Sequence, residues 1–135
     1  MTCEPRVLQL VWNLIRGGTE GQCARVALGL AAQGVHTRVA VSRREGFFLP
    51  AVEQACGPVH VMDIHRRLSI HTWMELRRLT AFVRAQRFDL LHAWDADAAI
   101  FGAVVARRVG IPLITSRRDL GEIYAAPKLR RMEQA

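Results

Sequence analysis

Short apolar runs alternate along this chain with longer amphipathic segments, and Gly or Pro closes most of the longer ones. That rhythm constrains the fold more than any other feature. Runs of four to seven residues with little period-2 alternation suit strands buried on both faces, and such strands form parallel sheets covered by crossover helices. Arg6–Trp12 (RVLQLVW) reads as the first strand, followed by the loop Asn13–Thr19 with its Gly17-Gly18 pair. Glu20–Gln33 reads as a helix with Val26, Leu30 and neighbouring alanines on one face, Glu20 near its positive end and Gly34 as its stop. Thr37–Val41 is a second strand, and Leu49–Ala55 a short helix with Pro50 in its first turn and Gly57-Pro58 beyond it. Val59–Met62 makes a third strand. Arg66–Arg87 carries Leu68, Trp73, Leu76, Leu79, Phe82 and Val83 at helical spacing, with Arg77, Arg78, Arg84 and Arg87 on the other sides. Met62 and Met74 read as core filler. Asp89–Ala93 is a fourth strand, Asp95–Val109 an Ala-rich helix ended by Gly110, and Pro112–Thr115 a fifth strand. Ser116–Gly121 reads as a loop and Ala126–Ala135 as the opening of another helix, with no stop signal.

The predicted fold is a Rossmann-like, doubly wound α/β domain over residues 1–135 with strand order 3-2-1-4-5. Strands one and four then flank the point where the winding reverses. Ligands of such sheets bind outside the carboxyl ends of those strands, which singles out Trp12–Thr19 and Ala93–Asp97.

Charge narrows the partners. With 19 Lys+Arg against 12 Asp+Glu the chain carries +7, nearly all of it arginine. That balance suits an anionic partner, or it is the background of an arginine-rich proteome. Basic groups do not interleave with aromatics as on a stacking platform, so no nucleic acid is expected. The helix after Arg66 presents either a buried stripe with a solvated arginine face, or a contact for an anionic membrane surface. Cys3, Cys23 and Cys56 are odd in number and widely spaced, which predicts free thiols in a reducing compartment. The N-terminus is not a signal peptide, and no apolar run approaches the ~20 residues that cross a bilayer. The expected location is cytoplasmic, with peripheral contact at the inner face of a membrane as an option.

Several residues can carry chemistry. Gly17 and Gly18 either make a simple turn or bring backbone N–H groups to an anion at a helix N-terminus. Neither G-x-G-x-x-G nor a P-loop is present. His92, near the end of strand four in DLLHAWDAD, either orients a substrate hydroxyl or is an ordinary strand-end histidine. Asp95 either caps the next helix or takes a polyol hydroxyl, while Trp94 can wall the cleft. Arg117 and Arg118, in SRRDLGE, can reach phosphate or carboxylate groups or serve the local structure. His36, His60, His65 and His71 show no metal spacing, so no metal is expected.

Taken together, RVLQLVWNLIRGGTEGQCARVALGLAAQGVHTRVAV and FDLLHAWDADAAIFGAVVARRVGIPLITSRRDLG resemble the N-terminal domain of GT-B glycosyltransferases of the retaining family 4 type. The resemblance runs from Arg6 to Gly121. It implies one half of a GT-B architecture: an acceptor-side domain of an enzyme that transfers a sugar from a nucleotide sugar to a glycan or lipid-linked acceptor. Gly17, Gly18 and Thr19 would face the donor diphosphate, His92 would sit near the reacting sugar in a positioning role, and Trp94, Asp95, Arg117 and Arg118 would lie on the acceptor side. The family often has His-x-His at this strand end, whereas here the second position is Trp94. No permanently bound cofactor is implied. The donor-holding C-terminal domain is expected to be missing, the chain being cut in its last helix and inactive alone. The competing expectation is a non-enzymatic nucleotide- or phosphate-binding regulatory module on the same fold.

Overall fold

The computed structural model describes residues 4–64 and 69–116. Five parallel strands, β1 (Arg6–Val11), β2 (His36–Val41), β3 (His60–Val61), β4 (Leu90–Ala93) and β5 (Leu113–Thr115), form one sheet in the order β3-β2-β1-β4-β5. The predicted winding is therefore the observed one. Four helices connect them: α1 (Gly18–Ala32), α2 (Leu49–Cys56), α3 (Ile70–Ala85) and α4 (Ala96–Val109). Of the predicted final loop only Ser116 is described; its remainder, with Arg117 and Arg118, and the predicted final helix lie outside the described residues.

The sheet is buried between two apolar layers. On one face Val11, Val39, Val41 and Trp94 pack with Cys23, Ala24 and Ala27 of α1 and Val52 of α2. On the other, Leu8, Leu10, Leu91 and Ala93 pack with Leu76, Leu79 and Val83 of α3 and Phe101 and Val105 of α4. Small residues on α1 let that helix lie close over the sheet, so Val26 and Leu30 fall at its edges, only partly buried. Cys23 and Cys56 are free thiols, and burial pushes both upward in pKa, keeping them protonated.

Helix ends follow local chemistry. Ser69 is extended and its Oγ accepts from the Thr72 N–H at 3.1 Å, so α3 starts at Ile70, while Arg66 and Leu68 of the expected helix lie outside the described residues. Gly110 takes a left-handed conformation after α4, as a C-terminal glycine should.

The inner face of α3 departs from expectation. Thr72, Glu75, Leu76, Leu79, Thr80 and Val83 are buried, while Trp73 and Met74 are 48% and 55% exposed. Trp73 is thus not part of the buried stripe, and Met74 is not core filler; Met62 is. The sheet takes the line through Leu76, Leu79 and Val83, and the polar residues on it are satisfied locally. The Thr80 hydroxyl donates to the Leu76 carbonyl at 2.8 Å, and Glu75 accepts from Arg78 Nη1 at 2.9 Å.

Candidate functional site

The carboxyl ends of β1 and β4 meet where the winding reverses. Their register pairs Leu10 with Ala93, and the Trp94 N–H donates to the Leu10 carbonyl at 3.0 Å. Beyond β1 the chain turns through residues 12–17 into α1. Gly17, extended at φ −159°, is the N-cap, and Gly18 and Thr19 open the first turn. No side chain caps this end, so its leading N–H groups are not taken up by an N-cap oxygen. The Glu20 carboxylate folds back against Gly17, where a Cβ would overlap it. An anion arriving at the positive end of α1 has to displace that carboxylate.

Backbone bonds clamp this loop to the one after β2. The Trp12 carbonyl accepts from Ser42 N–H at 2.9 Å, the Glu45 carbonyl from Leu14 N–H at 3.2 Å, and the Leu14 carbonyl from Phe48 N–H at 3.0 Å. Gly46 sits inside the clamp at φ +126°, and a Cβ there would overlap the Leu14 carbonyl group and the Ile15 nitrogen. Only glycine allows that approach. No local sequence signal marks this role of Gly46, because the partner backbone is remote in sequence.

On the other side of the switch, Asp95 spans two elements. Oδ1 accepts from the Ala98 N–H at 2.8 Å, capping α4, and Oδ2 accepts from the Trp12 N–H at 2.7 Å, tying the end of β1 to the start of α4. Burial pushes its pKa upward against those two backbone donors. Of the two readings of Asp95, the geometry shows the cap. Both oxygens have structural partners.

His92 and Trp94 project to the α1 side of the sheet. Their rings stack with centroids 4.1 Å apart, and His92 Nε2 shares a 2.8 Å hydrogen bond with Ser116 Oγ at the end of β5. Trp94 is only 3% exposed, and its indole N–H donates to Gln9 Oε1 at 2.7 Å. It is a buried support beneath His92 rather than a broad open wall. Gln9 lies fully buried in the central strand, and its Nε2 finds no partner among the described residues. A glutamine inside RVLQLVW was the available signal for this chain of contacts. The structure thus gathers Gly17, Gly18, Thr19, His92, Trp94 and Asp95 at one sheet end. Among the described residues no three of His, Cys, Asp and Glu are placed to hold a metal.

Chemically, the arrangement offers the positive end of a helix on one side and a partly exposed imidazole, held through its Nε2, on the other. That combination can hold an anionic group and orient a polar substrate beside it.

The fold has solved counterparts. Anabaena HepE, crystallised with UDP and glucose, superposes with a TM-score of 0.70 at 20% identity, covering 96% of this chain and 34% of HepE. A glycosyltransferase from Rickettsia africae gives 0.65 at 12% identity, covering 90% and 33%. Acinetobacter baumannii MurG gives 0.65 at 17% identity, covering 82% and 35%. The chain therefore spans about a third of the length of each of these proteins. At these identities the likeness is one of fold: the Rossmann-like half of a GT-B architecture. No curated protein matches the sequence significantly. The model of Glycosyltransferase Family 4 matches residues 16–135, nearly the whole length, and the chain belongs to that family.

Proposed function

We propose that this chain is the acceptor-side domain of a retaining glycosyltransferase, which moves a sugar from a nucleotide-sugar donor to a glycan or lipid-linked acceptor. One observation carries the reading: in a member of this family, an N-terminus of α1 without a side-chain cap and the His92 imidazole meet at the same sheet end. The complex of HepE with UDP-glucose supports a nucleotide sugar as donor. Backbone N–H groups of Gly17, Gly18 and Thr19 receive the donor diphosphate, and Glu20 swings aside to admit it. His92 positions the reacting sugar, with Ser116 fixing the ring's orientation and Trp94 supporting its face. Front-face retention asks no general base of this domain. Arg117 and Arg118 serve the acceptor, and Asp95 holds the two loops that frame the cleft.

A C-terminal domain of the same chain supplies the other wall and most of the donor contacts. A single wall neither excludes water nor closes on the donor, so these 135 residues do not turn over alone. The enzyme acts in the cytoplasm, in the assembly of polysaccharide or glycolipid precursors, with no permanently bound cofactor and no nucleic-acid partner.

A panel of nucleotide sugars and acceptors tests the reading. The 135-residue chain gives no transfer, and the protein extended by its donor-binding domain does. In the extended protein His92→Ala lowers kcat by about a hundredfold, as expected for lost positioning, with an unchanged melting temperature. Turnover by the short chain, or full activity of His92→Ala, would overturn the proposal.

A further inference from the structure

Two large apolar side chains stand out from the loops beside the positive end of α1. Ile15, after β1, is 45% exposed, and Phe47, after β2, is 60% exposed. Neither is loosely held. The Phe48 N–H donates to the Leu14 carbonyl, Asn13 Oδ1 accepts from the Ile15 N–H at 3.3 Å, and Gly46 lets the two loops touch. The Phe47 ring meets Phe48 edge-on with centroids 5.0 Å apart, and Phe48 in turn packs against the apolar layer under α1 and α2. A large apolar side chain kept in solvent on a loop braced this way is surface that folding does not use. The Arg16 guanidinium lies over the Phe47 ring, 4.4 Å from its centroid. Stacking takes up the flat face of a guanidinium and leaves free the N–H groups along its edge. Among the described residues no carboxylate pairs with Arg16. Glu45, the acid on the neighbouring loop, makes no ion pair, and Glu53 is taken by Arg44. Gly17, the N-cap of α1, follows Arg16 directly, so the stacked pair borders the candidate site.

We propose that Arg16, Phe47 and Ile15 form a subsite selective for an acidic sugar, a uronic acid residue of the acceptor. The inference rests on the transferase reading and names the acceptor class within it. Chemistry selects the occupant. The C–H face of a pyranose is apolar and buries against a phenyl ring and an aliphatic side chain. A guanidinium fixed by stacking presents its donors as a fork, the geometry that takes a carboxylate through two parallel hydrogen bonds. The stack holds one guanidinium, which matches the single charge of a carboxylate. A neutral glycan would use the ring and leave the arginine idle, and an acyl chain would press the guanidinium into hydrocarbon at a cost.

Two arms test it apart from that reading. In ligand-observed NMR the 135-residue chain broadens the resonances of methyl β-D-glucuronide more than those of methyl β-D-glucoside, and Arg16→Gln removes the difference. No difference with the native chain would overturn the inference, whether or not the protein transfers sugar. In the protein extended by its donor-binding domain, acceptors ending in glucuronic acid have a kcat/KM at least about tenfold above the same acceptors ending in glucose, as expected for hydrogen bonds to a charged group. The difference lies in the acceptor KM. Arg16→Gln cuts the ratio to about twofold or less, and Arg16→Lys, which keeps the charge without the fork, restores part of it. Arg25→Gln, the same loss of charge at an exposed site on α1, keeps the full ratio. Phe47→Ala raises the acceptor KM and leaves the donor KM as it is. Equal transfer to both acceptors would overturn the inference and leave the transferase reading standing. Transfer to neither would sink that reading, and the NMR arm then decides the subsite by itself. A raised donor KM in Arg16→Gln would assign the guanidinium to the donor diphosphate. A lowered melting temperature of extended Phe47→Ala with unchanged KM would assign the ring to a contact between domains. Either result would overturn the proposal, as would preference for a phosphorylated sugar over the uronic acid.

Discussion

Gly46→Ala is expected to damage the loop that frames the candidate site far more than a glycine substitution in an ordinary turn. At φ +126° an alanine carries backbone strain, and its Cβ would overlap the Leu14 carbonyl group and the Ile15 nitrogen, which belong to backbone and cannot rotate away. Relief requires the two loops to separate, breaking the Leu14–Glu45 and Phe48–Leu14 backbone hydrogen bonds. Strain of about 1–3 kcal/mol and two hydrogen bonds of about 0.5–1.5 kcal/mol each give a loss of roughly 2–6 kcal/mol. At about 3–4 °C per kcal/mol for a chain of this size, the melting temperature falls by roughly 6–24 °C. Gly34→Ala is the control: φ is +84°, but the space around a Cβ is open. Its cost is the left-handed conformation alone, about 1–2 kcal/mol. Thermal unfolding followed by circular dichroism gives both numbers, and amide exchange at Leu14 and Phe48 locates the damage. Equal losses in the two variants would refute the clamp, because the overlap would then have contributed nothing.

Two further outcomes follow from groups flanking the sheet. Asp95→Ala removes the acceptor for both the Trp12 and Ala98 N–H groups and should cost about 2–4 kcal/mol in denaturant unfolding, with Asp95→Asn intermediate because it keeps one oxygen. No loss in Asp95→Ala would release Asp95 for a role in binding. His60, stacked on Phe82 at 4.4 Å, has its pKa lowered by burial and by Arg78 and Arg38, against an opposing pull from Glu75. The folded state then binds fewer protons than the unfolded one below the ordinary value of 6.5. Stability is full above that pH and is lost as pH falls through 6.5 toward the lower, folded value. Melting temperatures at pH 7.5 and pH 5.5 should differ less in His60→Phe than in the wild type; an unchanged gap would exclude His60 as the source.

The sheet was legible because its signal is local and repeated. Each strand is a short apolar run and each crossover is long enough for a parallel return, while the order 3-2-1-4-5 came from the doubly wound class rather than from the runs themselves. Which face of α3 meets the sheet was legible only in part: Leu76, Leu79 and Val83 of the predicted stripe are buried, but Trp73 is not. Trp73 and Thr72 are adjacent, about 100° apart around the helix, and hydropathy alone assigns the tryptophan to the core. The structure buries Thr72 and Thr80 at little cost, since the Thr72 hydroxyl shares a 3.1 Å hydrogen bond with Ser69 Oγ and the Thr80 hydroxyl is satisfied within the helix. A polar residue with its hydrogen bond made locally costs little to bury, and a large apolar one is then left outside. Periodicity identifies a helix more securely than it identifies the helix's inner face.

The site divides the same way. Asp95 read either as a cap for the Ala-rich helix or as a contact for a polyol hydroxyl, and the capping bond is there. Its second bond, to the Trp12 N–H, depends on β1 lying beside β4, which no local pattern encodes. The same adjacency brings Gln9 under Trp94, as the β4–β5 pairing brings Ser116 to His92. These long-range bonds separate the acid and the imidazole, which the sequence presents three residues apart in DLLHAWD. Asp95 is spent on two backbone donors, whereas His92 is braced by a hydroxyl and a ring but remains partly exposed. A residue that is fixed yet accessible is placed to orient a substrate, and one whose lone pairs already serve the backbone is placed to hold the frame. In this sheet, strand order decides which of the two side chains is left accessible as much as residue chemistry does.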